Sequence, residues 1–504
     1  MRASGILLPV FSLPSPYGIG CFSKEAFEFI DRLAEARQHY WQILPLGPAG
    51  GWDSPYQPLS CFAGDPVYID PDALYEQKLL NKNELPPRLD GSDYPEFIDY
   101  TTVRIARNAM LRTAFSRFRP DAGFTAFCDD NAWWLEDYAL YMTLREDAGG
   151  TGHLSWTRPY RFRDPKALDG FRTAHRREMD FFVWTQYEFY REWNSVIRYA
   201  HSRGISVIGD IPIYISPDSA DCWANPQLFQ LDRQLHPRAV AGCPPDAFAP
   251  DGQKWGNPLY NWTRMEADGF VWWKQRLRQS FKMYDLIRLD HTRGFQAYYS
   301  IPTDGHPADG HWRRGPGIRF FREIEKEFGS GQFIAEDLGH ITPGVRRMVR
   351  EAHLPGMKVL QFAFDGDPHN PYLPGNFDKH CVIYTGTHDN NTTRGWYAGL
   401  SLSERRQITH FIRSMRRGSS SEYKKAPIYG ASQAARGMIS VALYSQADLC
   451  VIPMQDHLLL DGTARTNVPG TVGGTNWQWR MRPGAFSEEL AAYIAAHTIK
   501  SERC

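Results

Sequence analysis

The run Leu286-Ile287-Arg288-Leu289-Asp290-His291 is a short branched-apolar segment that ends in charged residues and a loop. In a strand, residues two apart share a face, so Arg288 and Asp290 point one way and Leu289 the other. The same form recurs along the chain. In order it covers Tyr40 to Leu46, Ser206 to Tyr214, Gln332 to Leu338, Met357 to Phe364, Val382 to Asp389 and Leu449 to His457. Between these runs lie helix-like stretches at Lys24 to Arg37, Phe182 to Ser202, Val271 to Met283, Val345 to Ala352 and Glu404 to Met415. Strand alternating with helix over this many units predicts a parallel sheet, open or closed.

Two features favour closure. The acids fall at the C-terminal ends of separate runs, where a (β/α)8 barrel assembles a site. No glycine-rich dinucleotide fingerprint follows the early runs, as a doubly wound nucleotide-binding sheet would require. The expected fold is therefore α/β, a (β/α)8 TIM barrel spanning residues 1–504 as one catalytic unit. The spacing is uneven and predicts insertions in the βα loops. One is a mainly helical, lid-like subdomain over residues 71–180, which includes the Trp-bearing segment Ala132 to Glu146. The other, over residues 216–261, is rich in Pro and Gly and reads as long loops above the barrel mouth.

Composition narrows the function. Hydrophobic residues make up 42% and charged residues 23% of the 504, which is ordinary for a globular protein and too apolar for disorder. Lys plus Arg total 57 and Asp plus Glu total 57, so no net charge recruits nucleic acid or a membrane surface. The aromatic share of 14% is high, and such rings serve as core or as platforms for the C–H faces of sugars. Eight scattered cysteines without a CxxC pair predict neither a zinc ribbon nor a redox site, and they fit a reduced, cytoplasmic setting. The apolar stretch near the N-terminus is broken by Pro9 and Pro14, too early for a signal-peptide core. His306 and His311 sit in a Gly- and Pro-containing loop, and no metal site is expected there.

Four segments carry chemistry. Arg288 beside Asp290 would favour an ionised carboxylate nucleophile, or the two form a buried structural ion pair; the tetrapeptide alone leaves both open. In Glu336-Asp337 only one acid can face a barrel lumen. A Glu in a partly apolar pocket near a second carboxylate suits a general acid, whereas Asp337 is the better candidate for capping the next helix. Thr385-Gly386-Thr387-His388-Asp389-Asn390-Asn391-Thr392-Thr393 is dense in hydrogen-bonding groups, as a polyol-binding loop or a helix N-cap loop would be. Asp210 in Gly209-Asp210-Ile211-Pro212 is a strand-end acid that could equally tie neighbouring strands. Jointly, several acids, an Arg and a His from different strand ends resemble a retaining glycosidase-type site, where two carboxyl groups lie ~5–5.5 Å apart.

Longer motifs make the resemblance specific. Arg2-Ala3-Ser4-Gly5-Ile6-Leu7-Leu8-Pro9, Leu44-Pro45-Leu46-Gly47-Pro48 and Asp53-Ser54-Pro55-Tyr56-Gln57 come first. Ile208 to Tyr214, Pro244-Pro245-Asp246-Ala247-Phe248, Gly252-Gln253-Lys254-Trp255-Gly256-Asn257-Pro258 and Asn467-Val468-Pro469-Gly470-Thr471 follow. Together they resemble the 4-α-glucanotransferases of the amylomaltase, or disproportionating-enzyme, type over nearly the whole chain. The resemblance implies an α-amylase-like barrel with inserted subdomains and no separate C-terminal β-domain. By motif position it implies Asp290 as nucleophile, Glu336 as general acid/base and Asp389 as the residue gripping the donor ring's hydroxyls. Arg288 and His388 would support them, and Asp210 would be a further subsite residue.

Tyr56, with Ser54 in the same motif, would bind the donor sugar. Asp246, Phe248, Gln253 and Trp255 would belong to a mobile loop over the acceptor side, and Asn467, Pro469 and Gly470 would line the glucan groove. Two departures bear on subsites: Asn391 stands where relatives usually carry an acid, and Thr471 to Trp477 is slightly long. The implied partners are α-1,4-glucans (maltooligosaccharides, amylose, glycogen) and glucose, with no cofactor. An α-1,4-glucan hydrolase and a catalytically silent glucan-binding protein on the same fold are the alternatives.

Overall fold

A computed structural model describes residues 2–89, 91–245, 250–417 and 428–504. In chain order its strands are β1 (Ala3–Leu7), β2 (Tyr40–Gln42), β3 (Ser206–Ile211), β4 (Ala239–Cys243), β5 (Gln253–Pro258) and β6 (Leu286–Leu289). They continue with β7 (Ala297–Pro302), β8 (His311–Arg314), β9 (Phe333–Ala335), β10 (Gly356–Val359), β11 (Cys381–Tyr384) and β12 (Leu449–Pro453). β1, β2, β3, β6, β9, β10, β11 and β12 close into an all-parallel barrel in chain order, β12 returning to β1. This is the (β/α)8 barrel. Among the described residues, no helix is long and apolar enough to cross a membrane.

The alternation along each strand fixes what faces inward. Leu7, Ile208, Ile334, Met357, Val359, Val382, Tyr384, Leu449 and Val451 form one buried cluster drawn from six barrel strands, the filling of the lumen. Their neighbours Ile6, Val207, Ile287, Leu289, Phe333 and Ala335 belong to the core under the surrounding helices. Cys381, Ile383, Cys450 and Ile452 pack outward into a second one, against the helices Leu402–Arg417 and Ala431–Tyr444. A sheet covered on both faces needs apolar residues on both, which is why these runs read as nearly continuous.

The strands are shorter than the sequence predicts. The residues expected after Gln42, Ile211, Leu289, Ala335 and Tyr384 have left the ladder to build loops at the barrel mouth, so the polar ends of the runs are site rather than sheet. β1 was not expected as a strand. Its Ser4 and Gly5 weaken the apolar signal, and Gly5 is needed because a Cβ there would lie 2.6 Å from the Tyr40 carbonyl oxygen. The 216–261 region, expected as loops, contains β4 and β5, and these join β7 and β8 in an antiparallel sheet ordered β5-β4-β7-β8.

The 71–180 region is helical: Pro71–Glu76, Tyr100–Arg117, Ala122–Asp147 and Pro165–Ala174 each begin at an Asp whose carboxylate accepts first-turn N–H groups. The long helix Arg176–Ser202 continues from this region down to β3. Its Trp193 is fully buried, with ring centroids 5.2 Å from Phe22 and 6.5 Å from Trp41, and it donates Nε1–H to the Met283 carbonyl at 3.0 Å. Much of the aromatic excess is spent here: Trp41, Trp184, Trp193, Trp223 and Trp273 are all fully enclosed. Because Trp193 packs the long helix Arg176–Ser202 against the barrel wall, Trp193→Ala should cost about 3–5 kcal/mol of stability. A urea or thermal unfolding midpoint unchanged from the parent would show that this cluster does not couple the two regions.

Candidate active site

Strand parity and register assemble the centre. Ile208 and Ile334 face the lumen, so Asp210 and Glu336, two residues on, share that face. Ile287 and Leu289 face outward, which turns Arg288 and Asp290 inward. Asp210 on β3 pairs with Arg288 on β6, while Leu289 pairs with Ala335 on β9. Asp290 and Glu336 therefore each follow directly on one paired position of adjacent strands. Adjacent strands lie ~4.8 Å apart, close to the ~5–5.5 Å that separates the carboxyl groups of a retaining pair.

The Arg288 guanidinium joins the acids. Its Nη1 donates to Asp210 Oδ2 at 2.7 Å and to Asp290 Oδ1 at 3.0 Å, and its Nε lies 3.4 Å from Met357 Sδ. The Arg288 and Asp210 side chains are 4% and 0% exposed, whereas that of Asp290 is 27% exposed, so the ion pair forms a buried floor with Asp290 at its open edge. Arg288 and Asp290 form an ion pair, and Asp290 is the partner that faces the opening.

The electrostatics differ from the sequence expectation. Burial, together with the nearby Asp210, Glu336 and Asp389 carboxylates, pushes the Asp290 carboxyl up, against the opposing pull of Arg288. Burial also raises Glu336, again against Arg288.

Glu336 is held by backbone. Its Oε2 accepts the His291 N–H at 2.7 Å and its Oε1 the Leu338 N–H at 2.8 Å. His291 adopts φ +47°, a left-handed turn immediately after Asp290 that delivers its N–H to Glu336. Each carboxyl oxygen keeps a second lone pair on which a proton can sit. Asp337 turns away and accepts the Met357 N–H at 2.7 Å; the next helix, Pro343–Glu351, is capped by Thr342, not by Asp337 as expected.

On the opposite wall, the Tyr56 hydroxyl donates to Asp210 Oδ2 at 2.7 Å and lies 2.9 Å from His388 Nε2. Tyr56 has one hydroxyl proton, so the second bond must run from His388 Nε2–H to the Tyr56 oxygen. Burial pushes the His388 imidazole down, which keeps it neutral and makes this the Nε2–H tautomer. The two rings stack at 5.3 Å and 16°. Asp389, 42% exposed, lies 3.4 Å from His388 Nε2, and its Oδ1 accepts Asn467 Nδ2–H at 2.6 Å. The Asn467 N–H donates to the His388 carbonyl at 3.1 Å.

The remaining expected residues flank this centre. Ser54 Oγ accepts the Tyr56 N–H at 3.3 Å, shaping the turn that presents Tyr56. Trp255 Nε1 donates to Gln253 Oε1 at 3.0 Å, and the Trp255 ring meets His291 edge-on at 4.9 Å. Pro469 is half-buried, and Gly470 lies beside Gln253, 3.9 Å separating an added Cβ from Gln253 Cγ. Asp246 and Phe248 lie outside the described residues. Asn391 is placed against Gly395 and Gly462: a Cβ on Gly462 would sit 2.9 Å from Asn391 Oδ1.

Sequence reading missed three neighbours. Trp477 stands 5.7 Å from the Tyr56 ring and 6.0 Å from His388, and its carbonyl accepts the hydroxyl of Tyr100 from the inserted helices at 2.8 Å. The lengthened Thr471–Trp477 segment was the available signal. Arg465 donates to the carbonyls of Asp389 at 2.5 Å and Asn467 at 2.6 Å, a clamp that no local spacing announces. His291 is driven down to about 3 by burial, so it is neutral, and its buried Nε2 has no hydrogen-bond partner among the described residues.

Known proteins place this geometry in context. The sequence profile of a family described as 4-alpha-glucanotransferase matches residues 8–486. The 4-alpha-glucanotransferase of Thermus thermophilus is 41% identical, with 100% of this chain and 99% of that protein covered. That of Clostridium butyricum is 40% identical over 98% of this chain and 99% of the relative. The structure of an amylomaltase from Streptococcus agalactiae in complex with acarbose superposes with a TM-score of 0.93 at 34% identity, each chain covered in full. A profile spanning most of the chain, full-length relatives and a matching barrel agree with the strand-end carboxylates, and the chain belongs to the 4-alpha-glucanotransferase family.

Proposed function

We propose that this chain is a 4-α-glucanotransferase that moves a segment of an α-1,4-glucan to the 4-hydroxyl of another glucan or of glucose by retaining double displacement. The observation that carries this reading is the placement of Asp290 and Glu336 one step beyond a paired position on adjacent strands. Asp290 attacks the anomeric carbon while Glu336 gives its proton to the departing glycosidic oxygen. The C–O bond to the leaving glucan breaks, and an ester bond to Asp290 forms. The acceptor 4-hydroxyl then loses its proton to Glu336 as it attacks the same carbon, which releases Asp290 as a carboxylate and restores the α-configuration. No other co-reactant is consumed. Asp389, held by Asn467, grips the donor ring's hydroxyls. Arg288 supports the charge that returns to Asp290, and Tyr56, Asp210 and His388 form the donor-side wall. Gln253, Trp255, Pro469 and Gly470 line the groove on which maltooligosaccharides, amylose or glycogen would lie. A cytoplasmic setting fits the scattered cysteines.

Incubation with maltotriose tests the reaction type. Glucose and dextrins longer than the substrate should appear while total reducing ends stay constant. A steep rise in reducing ends without longer products would make the protein a hydrolase.

Asp290→Asn tests the nucleophile. Turnover should fall at least about a thousandfold, corresponding to roughly 4 kcal/mol of transition-state stabilisation, while glucan binding by calorimetry survives. Retained turnover would remove Asp290 from the reaction.

The working state is the singly protonated pair, with Asp290 ionised and Glu336 protonated. The rate should fall as pH drops because Asp290 takes up a proton, and fall as pH rises because Glu336 loses one. Both groups are raised, so both limbs of the kcat/KM bell should lie above the usual carboxylate value of about 4. With a glycosyl fluoride donor, whose leaving group needs no acid, Glu336→Gln should lose the alkaline limb of the first step. A flat profile from acid to neutral pH would contradict the assignment.

A further inference from the structure

Asp456 stands on the short helix Met454–His457 that follows β12 and is 1% exposed. Its Oδ2 accepts the Thr385 hydroxyl at 2.5 Å and the Thr393 hydroxyl at 2.6 Å, and its Oδ1 accepts the Thr393 N–H at 2.7 Å. It forms no ion pair among the described residues. Thr385 is the first residue beyond β11, and Thr393 opens the helix Thr393–Gly399. Both are fully buried, and the segment between them carries His388 and Asp389. One carboxylate thus ties the two ends of the catalytic loop together.

The rest of the β12 segment holds the tip of that loop. Arg465 donates to the Asp389 carbonyl, Asn467 Nδ2–H to the Asp389 carboxylate, and the Asn467 N–H to the His388 carbonyl. Base and tip are therefore referenced to the same neighbouring strand. Three donors converge on Asp456, and a carboxylate, which only accepts, can satisfy all of them. An amide would turn its NH2 towards hydroxyls that now donate. Burying a carboxylate without a cation is a costly way to stabilise a fold, and here the cost is offset by bonds that pin the loop ends at fixed separation.

We propose that Asp456 is a positioning residue for the glucanotransferase reaction, a buried clamp that sets Asp389 at the height where it engages the donor ring. The proposal rests on the reading of Asp389 as the group gripping donor hydroxyls, and the test separates the two. The donors are α-maltosyl fluoride and its analogues deoxygenated at the 2- or the 3-hydroxyl of the reacting ring, compared on the same preparation so that the fraction of active protein cancels.

The parent enzyme should prefer the full donor. Asp389→Asn should abolish most of that preference. Asp456→Asn should lower kcat/KM for the full donor by about ten- to a hundredfold, mainly through kcat, and lower that for at least one deoxy analogue about fivefold less. Thr393→Val should act in the same direction, and Thr393→Ser, which keeps the hydroxyl, should stay within about threefold of the parent. If Asp456→Asn fails to fold, the Thr393→Val and Thr393→Ser pair carries the same comparison. Equal losses on full and deoxy donors would reduce Asp456 to a fold-stabilising residue and overturn the proposal. If Asp389→Asn itself keeps the full preference, the reading of Asp389 falls and the proposal falls with it.

Discussion

The Arg288 guanidinium is the cation around which the barrel mouth is organised. Asp210, Asp290, Glu336 and Asp389 repel one another in a partly enclosed space. Arginine suits the position because it cannot be deprotonated in a protein and offers several donors from one rigid plane. Nη1 reaches two carboxylates at once, and the Nε edge rests on Met357 in the apolar lumen. Asp210 then passes the constraint sideways to Tyr56, and Tyr56 to His388, so Asp290, Tyr56 and His388 are held by one connected set of bonds. Without the buried cation, the lumen face would carry uncompensated carboxylates beside Met357 and Tyr384.

The Asp290 and Glu336 carboxyl groups are held differently, and the difference suits the roles proposed for them. Asp290 is oriented by a fixed positive charge, which would stabilise it on leaving a glycosyl ester as an anion. Glu336 is oriented by two backbone N–H groups, so its position survives gain or loss of its own proton. The left-handed turn at His291 is part of this arrangement, since the peptide that follows Asp290 is one that holds Glu336. A covalent link of one residue thus sets the height of both groups relative to each other.

The inserted regions contribute to the site. Tyr100, from the helical insertion, fixes Trp477 behind Tyr56, and Asn257, from β5, exchanges two hydrogen bonds with Gln57 beside Tyr56 at 3.0 Å each. The aromatic richness of the chain divides accordingly. Trp193 packs the long helix Arg176–Ser202 against Phe22 and Trp41, whereas Tyr56 and Trp255 stand beside His388 and His291.

The sequence by itself determined the alternation of strand and helix, the closed barrel and the identity of the strand-end acids. Those depend on local periodicity, and on the rule that a polar group ending an apolar strand emerges at the barrel mouth. It also left Glu336 against Asp337 open, because neighbours on a strand point oppositely and nothing local says which face is inside; the lumen position of Ile334 decided it. β1 escaped notice because its Ser4-Gly5 start carries little apolar signal, and β4 and β5 because short antiparallel strands among Gly and Pro resemble loops. Trp477 and Asp456 lie more than sixty residues from the groups they contact, as Arg465 does from Asp389, so these partners were set only when β12 closed beside β11. The protonation balance was likewise tertiary. Adjacent Arg288 suggested an easily ionised Asp290, but burial and three carboxylates from other strands outweigh one cation.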